Sequence, residues 1–186
     1  GELAYEIAVP TQYGNSLFQV LLSEGEEFNV VPYGTEALGV MRIEKGHPAG
    51  NEINGQTTAQ NLGLSRMISK KADSIGNILS ERESFNGPNI ATLSGFKPVQ
   101  HSQKLEAGSH LISAGKTPTM ENDEGWLSSV AFSPTLGHYI GLGFIERGHT
   151  RVGEKVFAVN LLQNKTTEVE IVSSHFVDPE GIKQRG

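Results

Sequence analysis

The chain has 186 residues, a net charge of −6 from 15 Lys plus Arg against 21 Asp plus Glu, 37% hydrophobic residues and no cysteine. At roughly 100–200 residues per domain it has room for one domain or two small ones, and the absent cysteine excludes disulfide frameworks, thiolate zinc sites and thiol nucleophiles. The acidic balance argues against a non-specific grip on nucleic acid or an anionic membrane, both of which need basic excess.

No apolar run approaches the ~20 residues of a membrane span, and no basic-then-apolar leader opens the chain, so a cytoplasmic setting is expected. The chain begins at Gly1-Glu2 rather than Met, which reads as a parent cut or processed upstream.

Leu3 to Val9 alternates apolar with other residues and stops at Pro10, the pattern of a half-buried strand. Left without a partner, such a strand would present an open edge and invite pairing between copies. Leu17, Val20 and Leu21 then recur at helical spacing, with Ser16 and Gln19 able to form a capping box and Gly25 placed as a left-handed C-cap. A second helix is predicted from Thr35, read as its N-cap, to a stop at Gly46 before His47-Pro48. Asn54-Gly55 marks a turn, Thr57 to Lys71 reads as one helical turn passing into extended chain, and Ile75 to Arg82 as a short helix.

The texture changes at Asn86-Gly87-Pro88. Residues 1–86 carry 11 acids and 6 bases (11 − 6, net −5), and residues 87–186 carry 10 and 9 (net −1). Beyond the boundary, strand-like runs recur at 90–99, 110–113, 125–132, 139–146, 155–161 and 166–172, separated by Gly, Pro or Asn. That spacing fits a small antiparallel barrel or sandwich with Greek-key connections. The fold class expected is α+β, with residues 1–86 as one unit and 87–186 as a second, β-rich one.

Chemical motifs are sparse. The six histidines at 47, 101, 110, 138, 149 and 175 form no close pair of the kind local metal motifs use, so no metal site is expected. Ala114-Gly115-Lys116-Thr117 imitates the end of a P-loop, but six residues rather than four separate it from Gly108, and Pro118 follows where a helix should begin. It reads as a surface turn. Gly141-Leu142-Gly143 lacks the third glycine and the following helix of a dinucleotide fingerprint and reads as a strand under close backbone approach. Asn164-Lys165-Thr166 reads as a hairpin turn rather than a glycan acceptor.

Longer runs carry a resemblance. Gly1-Glu2-Leu3-Ala4-Tyr5-Glu6-Ile7-Ala8-Val9-Pro10, the stretch from Pro32-Tyr33-Gly34-Thr35 to Lys45-Gly46-His47, the pieces Ala49-Gly50-Asn51-Glu52-Ile53 and Thr57-Thr58-Ala59, and the run from Gly125-Trp126-Leu127-Ser128-Ser129 to Gly137 resemble the folate-dependent glycine cleavage T-protein family. That family includes aminomethyltransferases, dimethylglycine oxidase and the alpha subunit of heterotetrameric sarcosine oxidase, to which the Tyr-Gly-Thr-Glu-Ala-Leu-Gly run is most similar. The resemblance implies that residues 1–86 are the C-terminal part of a folate-binding domain and 87–186 the family's C-terminal barrel.

It also implies site residues. Glu6 occupies the place of the glutamate that binds the pterin of tetrahydrofolate, where a carboxylate accepts paired hydrogen bonds from the ring N–H and exocyclic amino group. Spacing alone would make Glu6 the solvent-facing member of an alternating strand. Tyr5, Tyr33 and Trp126 are candidate pocket aromatics able to stack on a planar ligand, against the alternative that each belongs to a core. The family arginine that meets folate falls at Leu38, a departure that argues against a plain glycine cleavage protein. Arg42 reads as a structural helix residue ion-paired with Glu44 or another acid. The resemblance implies that the family's catalytic aspartate lies in a segment before Gly1, so no catalytic residue is assigned here and residues 1–186 alone are expected to turn over little or nothing. Flavin and NAD are implied for the parent complex but not for this chain, together with a flavin-bearing beta subunit as partner. A non-catalytic scaffold module is the alternative of a different class.

Overall fold

A computed structural model describes residues 5–68 and 76–184 and divides the chain into two compact units, residues 1–38 with 180–186, and residues 39–179. In the first unit, a 3-10 turn at Thr11–Tyr13 leads into helix α1, Gly14–Glu24, and a second 3-10 turn follows at Glu26–Phe28. The expected caps of α1 are not made. No side chain caps its N-terminus, and Gly25 is right-handed (φ −82°). Gly25 is required for space instead: a Cβ there would lie 2.6 Å from the Val30 side chain and 2.7 Å from the Leu21 carbonyl oxygen. The left-handed residue is Asn29, which closes the following 3-10 turn at φ 55°.

The predicted strand at Leu3–Val9 is not formed over its described part. Residues 5–9 belong to no sheet and are exposed, Tyr5 by 78%. A strand needs a ladder partner, and every strand among the described residues is committed to the barrel. The open-edge pairing expected of this segment therefore loses its premise there.

Helix α2, Thr35–Glu44, lies where predicted, with Thr35 as its first helical residue rather than its cap. Its stop at Gly46 is confirmed. Gly46 has φ +73°, and a Cβ there would meet the Ser174 carbonyl oxygen at 2.5 Å. Turns and bends occupy residues 50–56 and 59–63, a 3-10 turn follows at Ser65–Met67, and Ile68 is extended. The rest of the segment predicted to reach Lys71 lies outside the described residues, as does Ile75. A short helix α3, Asn77–Ser80, falls within the helix expected at Ile75 to Arg82, and a further one, α4, Glu83–Asn86, follows beyond it.

The six predicted strands all form: β1 Ala91–Pro98, β2 His110–Ser113, β3 Asp123–Ser133, β4 His138–Glu146, β5 Lys155–Asn160 and β6 Lys165–Val172. They close an antiparallel barrel in the order β1-β4-β3-β2-β5-β6. Hairpins join β2-β3-β4 and β5-β6, while β5 returns beside β2 and β1 lies beside β4, which are Greek-key connections. Asn164 occupies the β5–β6 turn at φ 50°, as its turn reading requires.

Closure leaves no free edge in this sheet. Phe96, Leu111, Leu127, Ile145, Val156, Val169 and Ile171 fill the interior, and Leu105, 3% exposed, enters it from the β1–β2 connection. A second apolar cluster joins Ile140 and Leu142 of β4 to Ile43 of α2, with Phe176 packed against it. Gly141 and Gly143 are where the backbones crowd: a Cβ on Gly143 would lie 2.4 Å from the Trp126 carbonyl oxygen. This is the close approach expected of that glycine pair.

Candidate functional site

Arg42, Ala49, Ser128 and Ser129, all within the motif runs, converge on one buried carboxylate. Glu52 is fully buried. Its Oε1 accepts hydrogen bonds from Ser128 Oγ at 2.5 Å and Ser129 Oγ at 2.6 Å, and its Oε2 accepts from Arg42 Nη1 and the Ala49 amide, both at 2.8 Å. Arg42 Nη2 donates to Ser129 Oγ at 2.6 Å, and Asn51 Nδ2 donates to the Ser128 carbonyl at 3.2 Å.

Neighbouring residues of a regular strand point to opposite faces, so two successive serines could not ordinarily reach one carboxylate. Here a β-bulge in β3 permits it. Leu127 pairs with Gly143 and Ser129 with Leu142, so Ser128 is the extra residue and turns its hydroxyl to the side of Ser129. Burial alone would raise the Glu52 carboxyl, but the hydrogen bonds from Ser128, Ser129 and Ala49, with the Arg42 charge, outweigh it and hold the group below its ordinary 4.5. Every oxygen of Glu52 has its partners. The group therefore fixes the 42–57 segment against the barrel and has no free lone pair for proton transfer.

Arg42 is thus ion-paired as its structural reading expects, but with Glu52. Glu44 accepts from Ser133 Oγ at 2.5 Å instead. A second clasp follows, in which Lys45 Nζ donates to the carbonyl oxygen and carboxylate of Asp178, and the Phe176 and Val177 amides both donate to the Glu44 carbonyl at 2.9 Å. A third polar group ties β2 and β3 to the β4–β5 connection: Glu124 accepts from Ser113 Oγ at 2.6 Å, and Arg151 lies 2.7 Å from both Glu124 and Glu154.

The residues nominated from the sequence are placed differently. Tyr5, Glu6 and Tyr33 are exposed in the first unit, Tyr33 by 67%, and none of the three hydrogen-bonds to another. Leu38 is half exposed on α2. Trp126 belongs to the second unit, on β3, with its ring 5.3 Å from that of Phe144. Sequence reasoning missed Glu52, Ser128 and Ser129 as a set, although all three lie inside the runs that carried the resemblance. It also missed the stacking of His101 on His138, with ring centroids 4.3 Å apart across 37 residues of sequence. Among the described residues, no three His, Asp or Glu side chains are grouped to hold a metal ion, and no helix is long and apolar enough to cross a membrane.

Comparison with known proteins agrees with this architecture. Residues 1–72 match the GCVT N-terminal domain, and residues 92–178 match the glycine cleavage T-protein C-terminal barrel domain. The sarcosine oxidase subunit alpha of Rhizobium meliloti is 40% identical over 181 residues, covering 97% of this chain and 18% of that protein. An aminomethyltransferase of Corynebacterium aurimucosum is 32% identical over 148 residues, covering 78% of this chain and 38% of that protein. Among solved structures, the glycine cleavage system aminomethyltransferase T of Bartonella henselae superposes with a TM-score of 0.72 at 24% identity, over 92% of this chain and 45% of that one. At that identity the likeness speaks for the fold. The chain spans less than a fifth of the length of the sarcosine oxidase relative it matches.

Proposed function

The chain belongs to the glycine cleavage T-protein family, and we propose that it is the folate-binding portion of a sarcosine-oxidase-type alpha subunit, supporting transfer of the one-carbon unit from oxidised sarcosine to tetrahydrofolate. The observation that carries this reading is the 40% identity to a sarcosine oxidase alpha subunit along almost the whole chain, joined to the motif runs at 1–10 and 32–47. On this reading residues 1–86 complete a folate-binding domain and residues 87–186 are the barrel that follows it. A flavin-bearing beta subunit would be the partner that oxidises the amine, with flavin and NAD held outside this chain, in the cytoplasm.

Glu6 is the residue proposed to orient the ligand. It is exposed and makes no hydrogen bond or ion pair among the described residues, so its carboxylate is available for the paired N–H donors of a pterin. Tyr5 and Tyr33, in the same unit as Glu6, would supply aromatic faces, and both are exposed; Trp126, on β3, is a separate candidate aromatic and keeps 37% of its surface. Tetrahydrofolate, when bound, supplies the nucleophilic nitrogens that accept the one-carbon unit as the 5,10-methylene form. The protein's part is to hold acceptor and donor in contact geometry, from which much of the rate advantage of such a transfer arises.

Titration of tetrahydrofolate into the full-length subunit and its Glu6→Ala form tests the role. An affinity loss of about tenfold or more is expected for removal of a bidentate charged acceptor, and unchanged affinity would overturn the assignment. Residues 1–186 by themselves should give little or no methylene-folate.

The match to an aminomethyltransferase supports a second reading, another folate-dependent aminomethyltransferase or demethylase of the family acting on a different methylated amine or sulfonium donor. An upstream reading frame encoding a dinucleotide-binding half would select the first reading, and its replacement by T-protein sequence alone would select the second. A scaffold role without folate is the outcome if neither protein binds it.

A further inference from the structure

On the outer face of the barrel, β2, β5 and the β2–β3 connection line an open cavity of about 280 Å³ that shares no residue with the Glu52 group. Its floor is Ile112 and Val159, 2% and 8% exposed, and its walls include Pro118, Thr119 and Leu161. At one side stands a paired imidazole and carboxylate: His110 Nδ1 lies 2.6 Å from Asp123 Oδ2.

The pair is built by the strand geometry. His110 pairs with Trp126 while Ile112 pairs with Asp123, so β3 carries one residue more than β2 over this stretch, and the resulting bulge brings Asp123 to His110. The amide of Gly125 donates to Asp123 Oδ1 at 3.2 Å and fixes the carboxylate from its other side. Because the Asp123 carboxylate can only accept, His110 Nδ1 is the donor between the two. Asp123 is the acidic residue in the cavity lining, and Glu121 is a second acidic residue in the same connection. Lys116, the basic residue of that connection, is turned to Glu124 at 3.2 Å.

A ring-sized apolar cavity with acceptors and negative charge at its side selects an apolar group bearing a cation. We propose that this cavity is a binding site for a small aromatic amine, with the ring seated on Ile112 and Val159 and the ammonium directed to the His110–Asp123 pair. The site is independent of the folate reading, since it uses none of the residues assigned there.

Benzylammonium is the probe, followed through the ¹³C-methyl NMR signals of Ile112 and Val159 in the full chain at neutral pH. Saturable shifts with a Kd on the order of 1 mM are expected, as a ligand of this size allows. Benzoate should bind at least about tenfold more weakly, and Asp123→Asn should weaken benzylammonium by about tenfold. Leu161→Trp, a change at a residue 63% exposed, fills the cavity and should remove the shifts while the remaining methyl spectrum is retained. Absence of saturable shifts, equal binding of benzoate, or undiminished binding to a folded Leu161→Trp chain would overturn the proposal.

Discussion

Arg42 and Glu52, on α2 and in the turn that follows it, form an ion pair of 2.8 Å in which the carboxylate is wholly buried and the guanidinium side chain keeps 20% of its surface. The pair joins the segment after α2 to the barrel because both members also bond to Ser129. Removing one member leaves the other buried without compensation, which is the costly way to break such a pair. Arg42→Ala should therefore cost about 3 kcal/mol, read as a lower urea midpoint, whereas Arg42→Met with Glu52→Leu should cost less than the sum of the single changes. Additive losses would show that the two side chains do not act together.

Glu52 also sets an acid limit. Its folded carboxyl is held below the ordinary 4.5 by the serine hydroxyls, the Ala49 amide and Arg42 against the opposing effect of burial. The stability it contributes is present above pH 4.5 and lost as pH falls through the lower folded value. In thermal melts, Glu52→Gln should be less stable than the parent at neutral pH, and the gap should close below pH 4.5.

His175 works in a higher window. Burial, then the charges of Lys45 and His47, hold it below its ordinary 6.5, so the unfolded chain takes up its proton more readily than the folded one. The contribution is complete above pH 6.5 and declines below it. A plot of Tm against pH should fall less steeply below pH 6.5 in His175→Gln than in the parent, and identical slopes would refute the effect.

Two glycines separate steric need from conformational preference. At Gly125 a Cβ would lie 1.9 Å from the Phe144 carbonyl oxygen, backbone against backbone in the β3–β4 ladder, with nowhere to yield. Gly125→Ala should cost at least about 3 kcal/mol or prevent folding. Gly137 has φ +74° and open space around it, so Gly137→Ala should cost about 1 kcal/mol. Circular dichroism melts of the two variants give the comparison.

Leu105 tests the barrel's end. It enters the interior core from a connection rather than a strand, and its Cδ1 would be 3.6 Å from a Cβ on Gly141. Leu105→Ala should cost about 2–5 kcal/mol if the cavity does not collapse, measurable in urea. A smaller loss would mean that the connection relaxes inward.

The barrel strands and α2 were legible because their signals are local. Alternation of side chains, Gly, Pro and Asn turns, and a left-handed stop at Gly46 act over a few residues, and the six strands formed within two residues of their predicted ends. The segment at Leu3–Val9 has the same alternation, yet its described residues form no strand, since pairing requires a second strand that pattern alone does not supply. The runs containing Arg42, Glu52 and Ser128-Ser129 were visible in the sequence and identified the family, but not their contact. Glu52 meets its serines across 76 and 77 residues, and only the extra residue in β3 turns both hydroxyls to one side. The His110–Asp123 pair likewise depends on a register shift. The sequence by itself determined α2, the six strands and, through its resemblance, the family; the tertiary structure closed those strands into a barrel and decided which polar groups meet, because bulges and ladder register set side-chain direction over distances that local pattern does not reach.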